Sequence, residues 1–227
     1  MIILSMIRPL NVVISIISVC ISAFILNKLN LSYDLIHTIV VVAGFTAISN
    51  LINDIFDIKT DKINRPEKPL PSKKILPTTT FFITIIILII SLFTLIHLNI
   101  NSIKFVFFII LPIIITYTPI FKSIPFLGNL LIGLSLGSVF LFTEISLTGQ
   151  IKFLLTPALL ALHLTVLREL MKDIEDHEGD CSTGIITFPV CFGIQHSINL
   201  YLILSLILLA WGGSLPFFQE VNQYYLP

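Results

Sequence analysis

The sequence predicts an all-α fold, a polytopic bundle of transmembrane helices that forms a single domain over residues 1–227. Apolar residues make up 56% of the chain and charged residues only 11%, whereas soluble domains carry about 25% charged residues. The mean hydropathy is +1.01, so most of the surface is expected to face lipid. Apolar runs long enough to cross a bilayer, about 20 residues, recur along the chain. We therefore expect an integral membrane protein.

About seven apolar runs are separated by polar clusters. The predicted spans lie near residues 9–28, 34–54, 78–98, 103–121, 126–147, 152–172 and 196–217. The first run has no basic segment ahead of it and no small-residue cleavage site, so we expect a retained span rather than a signal peptide. In the fifth run, Gly133 and Gly137 have the GxxxG spacing that favours close packing between neighbouring spans.

Basic residues concentrate on one side of the predicted bundle. Ten of the 13 Lys and Arg residues flank the same ends of the spans: Arg8, Lys59, Lys62, Arg65, Lys68, Lys73, Lys74, Lys122, Arg168 and Lys172. The positive-inside rule makes this side cytoplasmic. The two longest links on this side, near residues 55–80 and 174–195, are predicted lid loops. The centre of the first, residues 61–77, is rich in proline, which excludes a regular helix there. An alternative role for this loop is to set topology and bind lipid headgroups.

Acidic residues form two stripes with identical spacing. The first contains Asn50, Asp54, Asp57 and Asp61, and the second contains Glu169, Asp173, Asp176 and Asp180. Residues at i, i+4, i+7 and i+11 share one face of a continuous helix. Carboxylates crowded beside the hydrocarbon region repel one another and lose hydration, which favours protonation or a bound cation. We expect two facing helices that share divalent ions.

The carboxylate ligands and the apolar spans around them predict the metal ion and the substrate. Mg²⁺ prefers carboxylate oxygens and takes its remaining ligands from water and substrate phosphates. Together with nearby lysines and apolar spans, this indicates a polyprenyl diphosphate as substrate. Ionisation of its C–O bond would give an allylic cation, which a second, lipophilic substrate attacks while water is excluded. A phenol such as Tyr117, or a neighbouring carboxylate, would stabilise the cation or accept the acceptor's proton.

Several other classes of protein and site fit the sequence less well. Equal numbers of basic and acidic residues, 13 of each, argue against a nucleic-acid binder. Three cysteines without a CxxC pattern predict neither a disulfide framework nor a zinc site. The five histidines lack a metal-binding spacing. A cation-coupled transporter is an alternative, but it would place its acids near the bilayer midplane. A soluble isoprenyl diphosphate synthase is excluded by the lipid-facing composition.

The two acidic segments resemble the signatures of a known family. NDIFDIKTD and DIEDHEGD are similar to the NDxxDxxxD and DxxDxxxD motifs of the UbiA family of membrane prenyltransferases. Further matching positions along nearly the whole chain are Arg8, Pro9, Asn64, Arg65, Pro66, Lys68, Pro69, Tyr117, Lys122, Gly128 and Asn129. The segment around the second motif is most similar to members that transfer geranylgeranyl to geranylgeranylglyceryl phosphate in ether-lipid synthesis. Members with aromatic acceptors, of the quinone, tocopherol or chlorophyll type, stay an alternative.

The resemblance implies roles for individual residues. The implied Mg²⁺ ligands are Asn53, Asp54, Asp57, Asp61, Asp173, Asp176 and Asp180. The implied phosphate contacts are Lys62, Arg65, Lys68 and Lys122, and Arg168 and Lys172 are further candidates for the diphosphate. Tyr117 would lie close to the reacting carbon. Members usually have about nine spans, so the resemblance implies that two spans are lacking after Pro227, and an odd count of seven places the C-terminus outside.

Overall fold

The computed structural model describes residues 2–214, and all regular secondary structure in this range is helical. The helices are α1 (Ile2–Ile7), α2 (Pro9–Ile25), α3 (Tyr33–Phe56), α4 (Ile58–Asn64), α5 (Pro77–Leu95), α6 (Ile100–Phe121), α7 (Leu127–Thr148), α8 (Leu155–Glu175), α9 (His177–Thr183), α10 (Phe188–Phe192) and α11 (Ile194–Ser214). Helix α6 contains two π-helical turns, Val106–Ile110 and Tyr117–Phe121. The all-α prediction is confirmed.

Each predicted span corresponds to a helix in the described range. Helices α3, α5, α6, α7 and α11 are long and apolar enough to cross a membrane. Helix α2 is apolar but has 17 residues, a length of about 25 Å. Helix α8 has 21 residues, and its last turns carry several charges. The count of seven spans stays a prediction, and residues 215–217 of the last predicted span lie outside the described residues.

The chain divides into two compact units. One comprises the residues up to Phe121 together with Ser138–Leu155, and the other comprises Lys122–Gly137 together with the chain from Thr156 onward. The prediction of a single transmembrane domain stays a prediction.

Helix α3 is the central element of the first unit, where it packs against α1, α2 and α5. Its apolar side chains form a buried core with residues of the neighbouring helices, among them Val19 of α2, Phe45 of α3 and Leu95 of α5. Gly44 allows the close approach of α5, because a Cβ at this position would collide with the side chain of Ser91. This packing fixes the end of α3 that carries the first acidic segment.

The corner between α1 and α2 is fastened to α3 by polar contacts. Arg8 occupies the corner with φ 55° and ψ 76°, in the left-handed region, which costs a non-glycine residue about 1 kcal/mol or more. Its guanidinium Nη2 donates to Asp54 Oδ1 over 2.8 Å. The amide Nδ2 of Asn50 donates to the carbonyl of Ile7 over 2.9 Å. Two members of the first acidic stripe therefore hold the N-terminal corner in place.

A buried carboxylate orders the link between α7 and α8, also within the first unit. Glu144 is fully buried, with 0% of its surface exposed. Its Oε1 accepts hydrogen bonds from the backbone amides of Lys152 and Phe153 at 2.8 and 2.7 Å, and its Oε2 accepts one from Leu154 at 2.9 Å. These amides directly precede α8, so the carboxylate fixes the turn that leads into this helix.

The second unit contains the GxxxG pair. A Cβ at Gly133 would lie 2.8 Å from the carbonyl oxygen of Leu162, and one at Gly137 would lie 2.7 Å from that of Ala158. Both distances are too short for a side chain, so the two glycines let α7 pack closely against α8. The close packing of neighbouring helices that the spacing predicted is present. In the same unit, the Nε2 of His163 lies 2.9 Å from the carbonyl oxygen of Leu204, which links α8 to α11.

Replacing Glu144 by Gln is expected to destabilise the protein. The amide keeps one acceptor oxygen but loses the other, and with it part of the hydrogen bonding to the three backbone amides, at a cost of about 1–3 kcal/mol. The measurement is the midpoint of thermal unfolding in detergent, with Glu67→Gln, an exposed position, as the matched control. Equal midpoints for the two variants would contradict the role of Glu144.

A double-mutant cycle on Arg8 and Asp54 tests the N-terminal anchor. Arg8→Met and Asp54→Asn should each lower the free energy of unfolding, and the double variant should cost less than the sum of the two. The expected coupling is about 1 kcal/mol, because the Arg8 side chain is 38% exposed and solvent screens the pair. Strictly additive losses would show that the two side chains do not stabilise each other.

Candidate functional site

The two acidic segments have the same local backbone. Helix α3 ends at Phe56, Asp57 follows with φ −82° and ψ 2°, and the seven-residue helix α4 begins. In the second segment, α8 ends at Glu175, Asp176 follows with φ −87° and ψ 3°, and the seven-residue helix α9 begins. In each case a long helix carries the first acidic residues and a short helix carries the last one.

This arrangement corrects the expectation of one continuous helix. Each stripe is interrupted at its central aspartate, although the turn is still closed there by backbone hydrogen bonds. The amide of Asp57 donates to the carbonyl of Asn53 and that of Asp176 to the carbonyl of Lys172, both over 2.9 Å. Aspartate has a low helix propensity because its carboxylate competes for nearby backbone groups, which is consistent with a break at these positions.

In the first segment, two carboxylates are paired with cations. Asp54, which is 6% exposed, accepts the hydrogen bond from Arg8 described above. The Nζ of Lys68 lies 2.8 Å from Asp61 Oδ2 and 3.7 Å from Asp54 Oδ1. Lys68 thus bridges two acidic residues that are seven positions apart, and both are buried.

The remaining candidates of the first segment differ in exposure. Asn53 and Asp57 are half-buried, whereas Lys62 and Arg65 are exposed. Tyr117 is also half-buried and begins the π-helical turn Tyr117–Phe121, which packs against α3. All these residues belong to the first unit.

The first predicted lid loop packs against α1 and α3 through a buried leucine. Leu70 is 5% exposed, and it forms a buried cluster with Met6 of α1 and Leu51 of α3. The link from Arg65 to Leu76 is otherwise built of turns, as its prolines predicted. Residues 61–64, for which no regular helix was expected, belong to α4 because the first proline comes only at Pro66. The anchor places Lys68, two residues before Leu70, beside the first acidic segment.

In the second segment, two of the carboxylates accept hydrogen bonds from neutral side chains. Asn129 of α7 is 8% exposed, and its Nδ2 donates to Asp173 Oδ2 over 2.8 Å. The hydroxyl of Thr187 donates to Asp180 Oδ2 over 3.2 Å. Asp176 is exposed. Thr187 was missed by sequence reasoning, and Asn129 was marked only by the family resemblance, because neither has a local pattern that indicates its partner.

Burial makes ionisation of this segment costly. It raises the pKa of Asp173 to about 6, although the hydrogen bond from Asn129 opposes this rise and the charges of Asp180 and Glu169 add to it. Burial also raises the pKa of Asp180, against the effect of Thr187, and the positive charge of Lys122 lowers it again. Because the pKa of Asp173 is higher than the ordinary value of 3.8, its ionised form destabilises the folded protein increasingly as the pH rises from about 4 to about 6. A bound cation would relieve this cost.

Arg168 and Lys172, two further predicted diphosphate contacts, are both paired with Glu169. Glu169 is 7% exposed, and it accepts hydrogen bonds from Arg168 Nη1 at 2.7 Å and from Lys172 Nζ at 2.9 Å. The contact of Arg168 and Lys172 with a diphosphate stays a prediction.

The donor chemistry of both segments fits Mg²⁺. Carboxylate and amide oxygens are its preferred protein ligands, and it usually retains several waters or phosphate oxygens. Within residues 2–214, no three His, Cys, Asp or Glu side chains converge into a metal cage. The assignment of the individual ligands therefore stays a prediction.

Comparisons with known proteins identify the family. The model of the UbiA prenyltransferase family matches residues 13–226. A digeranylgeranylglyceryl phosphate synthase from Methanosarcina mazei is 41% identical over 184 residues, which are 80% of this chain and 62% of that protein. The chain thus spans less than two thirds of this relative's length.

Solved structures show the same fold. A structure described as giving insights into the biosynthesis of digeranylgeranylglyceryl phosphate synthase in membranes superposes with a TM-score of 0.76 at 30% identity, and the match covers 96% of this chain and 77% of that one. A UbiA homolog from Archaeoglobus fulgidus, bound to DMAPP and Mg²⁺, has a TM-score of 0.78 at 20% identity, with 98% and 81% covered.

These matches confirm the predicted family and the predicted helical bundle. Together with the apolar helices, they also confirm that the protein is an integral membrane protein. The chain belongs to the UbiA family of prenyltransferases.

Proposed function

We propose that this protein transfers a prenyl group from a polyprenyl diphosphate to a lipophilic acceptor within the membrane, in a reaction that requires Mg²⁺. The observation that carries the proposal is the repeated acidic segment, in which a long helix, an aspartate at the break and a seven-residue helix recur with the same spacing. Membership of the UbiA prenyltransferase family supports it. The Methanosarcina mazei relative is a digeranylgeranylglyceryl phosphate synthase, so we propose geranylgeranyl as the group transferred and geranylgeranylglyceryl phosphate as the acceptor.

The proposed metal ligands come from both acidic segments. They are Asn53, Asp54, Asp57 and Asp61 of the first and Asp173, Asp176 and Asp180 of the second. Their oxygen chemistry and the raised pKa of Asp173 support this set. Bound Mg²⁺ would supply positive charge that neutralises the diphosphate as it departs. Asp54 is already held by Arg8, so its share of the coordination is expected to be smaller than that of Asp57.

Basic side chains are proposed to bind the phosphate oxygens. The candidates are Lys62, Arg65, Lys68, Lys122, Arg168 and Lys172. Lysine and arginine ammonium and guanidinium groups donate charge-assisted hydrogen bonds to phosphate, and these bonds strengthen as negative charge accumulates on the leaving group. The exposure of Lys62 and Arg65 leaves both accessible to such a ligand.

Tyr117 is proposed to lie close to the reacting carbon. The half-buried phenol belongs to a π-helical turn, a feature often found at functional sites. An aromatic face stabilises a nearby cation electrostatically, and the phenolic oxygen or a neighbouring carboxylate would accept the proton released by the acceptor. Anchoring at the membrane interface is the common alternative role of such a tyrosine.

We further propose that the site faces the cytoplasm. Ten of the 13 basic residues lie at the predicted cytoplasmic ends of the spans, and both acidic segments belong to the same ends. The segments near residues 55–80 and 174–195 are proposed to cover the bound diphosphate and exclude water, which would otherwise trap the allylic cation.

A transfer assay tests the proposed function. The protein, purified in detergent with Mg²⁺, is given labelled geranylgeranyl diphosphate and either geranylgeranylglyceryl phosphate or an aromatic acceptor. Labelled product is expected with the glyceryl phosphate and not with the aromatic compound. Product with the aromatic compound alone would contradict the acceptor, and the absence of Mg²⁺-dependent transfer to either would contradict the function.

Neutralising the central aspartates should abolish turnover. Asp57→Asn and Asp176→Asn preserve size but remove a charged ligand, and each is expected to lower kcat at least about 100-fold. Glu178→Gln is the matched control, because Glu178 is an exposed carboxylate in the same short helix as Asp180. Unfolding midpoints establish that the variants are folded, and a wild-type rate in either aspartate variant would contradict its proposed role.

A further inference from the structure

We propose that Lys68 is a built-in counter-ion of the first acidic segment, which must leave Asp61 for Mg²⁺ to bind there and which then transfers to the diphosphate. The inference rests on the proposed function. It goes beyond a phosphate contact, because it gives Lys68 two successive partners and makes it a competitor of the metal.

The geometry places the ammonium group in the position of a small cation. Lys68 Nζ lies 2.8 Å from Asp61 Oδ2 and 3.7 Å from Asp54 Oδ1. The side chains of Lys68, Asp54 and Asp61 are 22%, 9% and 11% exposed. Charges that are largely withdrawn from water are screened little by salt, so the attraction is stronger than that of a surface ion pair.

The loop places Lys68 there through its own fold. The amide of Lys68 donates to the carbonyl of Arg65 over 3.1 Å, and the carbonyl of Lys68 accepts from the amide of Ser72 over 3.0 Å. Leu70, two residues further on, is buried against Met6 and Leu51. With the backbone fixed at these points, the ammonium reaches Asp61 without ordering a long flexible segment, which lowers the entropic cost of the pair.

Competition for the same carboxylate oxygens indicates why Lys68 must leave. Its Nζ lies 2.8 Å from Asp61 Oδ2 and 3.7 Å from Asp54 Oδ1, beside the oxygens that a Mg²⁺ ion would have to bind. The positive charge of the ammonium repels a second cation at this position. Arg8 is paired with Asp54 and stays there, so the departure of Lys68 makes Asp61 available as a ligand.

The displaced ammonium requires a new partner, and a diphosphate supplies one. A lysine ammonium has three donors on a flexible stem and binds phosphate as a point charge. Binding of Mg²⁺ alone would include the free-energy cost of breaking the ion pair between Lys68 and Asp61. When diphosphate binds as well, its contact with Lys68 would offset this cost. By linkage, the diphosphate then raises the affinity for Mg²⁺, and Mg²⁺ raises the affinity for the diphosphate by the same factor.

The test compares Lys68→Met with Lys74→Met, an exposed lysine of the same loop. Thermal unfolding of the purified protein is followed against Mg²⁺ concentration, with and without inorganic diphosphate. Without diphosphate, the unfolding midpoint of Lys68→Met should begin to rise at a roughly tenfold lower Mg²⁺ concentration than that of the wild type, because the competing charge is gone. With diphosphate, this difference should shrink, because the variant has lost a phosphate contact. Lys74→Met should follow the wild type throughout.

Different outcomes separate the two proposals. If Mg²⁺ and diphosphate together stabilise the wild type but the midpoint of Lys68→Met without diphosphate begins to rise at the same Mg²⁺ concentration as that of the wild type, the counter-ion proposal is overturned and the proposed function survives. If they fail to stabilise the wild type, the proposed function fails and the counter-ion proposal with it. Lys68→Gln, which keeps a polar side chain without the charge, replaces Lys68→Met if the latter does not fold, and the same shift is expected.

Discussion

The structure depends on how the negative charge of buried carboxylates at helix ends is balanced by cations or hydrogen bonds. An ionised carboxylate withdrawn from water is costly unless it is paired or hydrogen-bonded. In the first segment, Arg8 and Lys68 provide the compensation, and each of them also fastens a neighbouring part of the chain to α3. The N-terminal corner and the loop after α4 are therefore held by the same acids that are proposed to bind the substrate. This explains how a segment proposed for catalysis also organises its unit.

The second segment is compensated differently, although its backbone is alike. Asp173 and Asp180 are held by the neutral donors Asn129 and Thr187, while Arg168 and Lys172 are paired with Glu169. The hydrogen bond from Asn129 only partly offsets the cost of burying the charge, so the pKa of Asp173 stays raised, at about 6. A cation bound near Asp173 would lower this cost, whereas in the first segment Lys68 already places a positive charge beside Asp61.

The sequence predicted the features that repeat or extend over many residues. The apolar runs matched the long helices, the acidic spacing identified both segments, and Gly133 and Gly137 predicted close helix packing. Features that depend on one residue's conformation or on distant partners were not predicted. The breaks at Asp57 and Asp176, the left-handed Arg8 and the three amides around Glu144 leave no periodic signal. The pairing of Lys68 with Asp61 depends on the fold of the intervening loop, which composition alone predicted only as a proline-rich lid.

Aspartates of the two acidic segments are proposed to bind the diphosphate headgroup through Mg²⁺. The most direct measurement is equilibrium binding of inorganic diphosphate at saturating Mg²⁺ to the folded wild type, Asp57→Asn and Asp176→Asn proteins, because it requires neither the prenyl tail nor the acceptor. We expect each substitution alone to weaken binding by at least about tenfold and the removal of Mg²⁺ to abolish it. Binding of wild-type strength in either variant would contradict the proposed role of that aspartate.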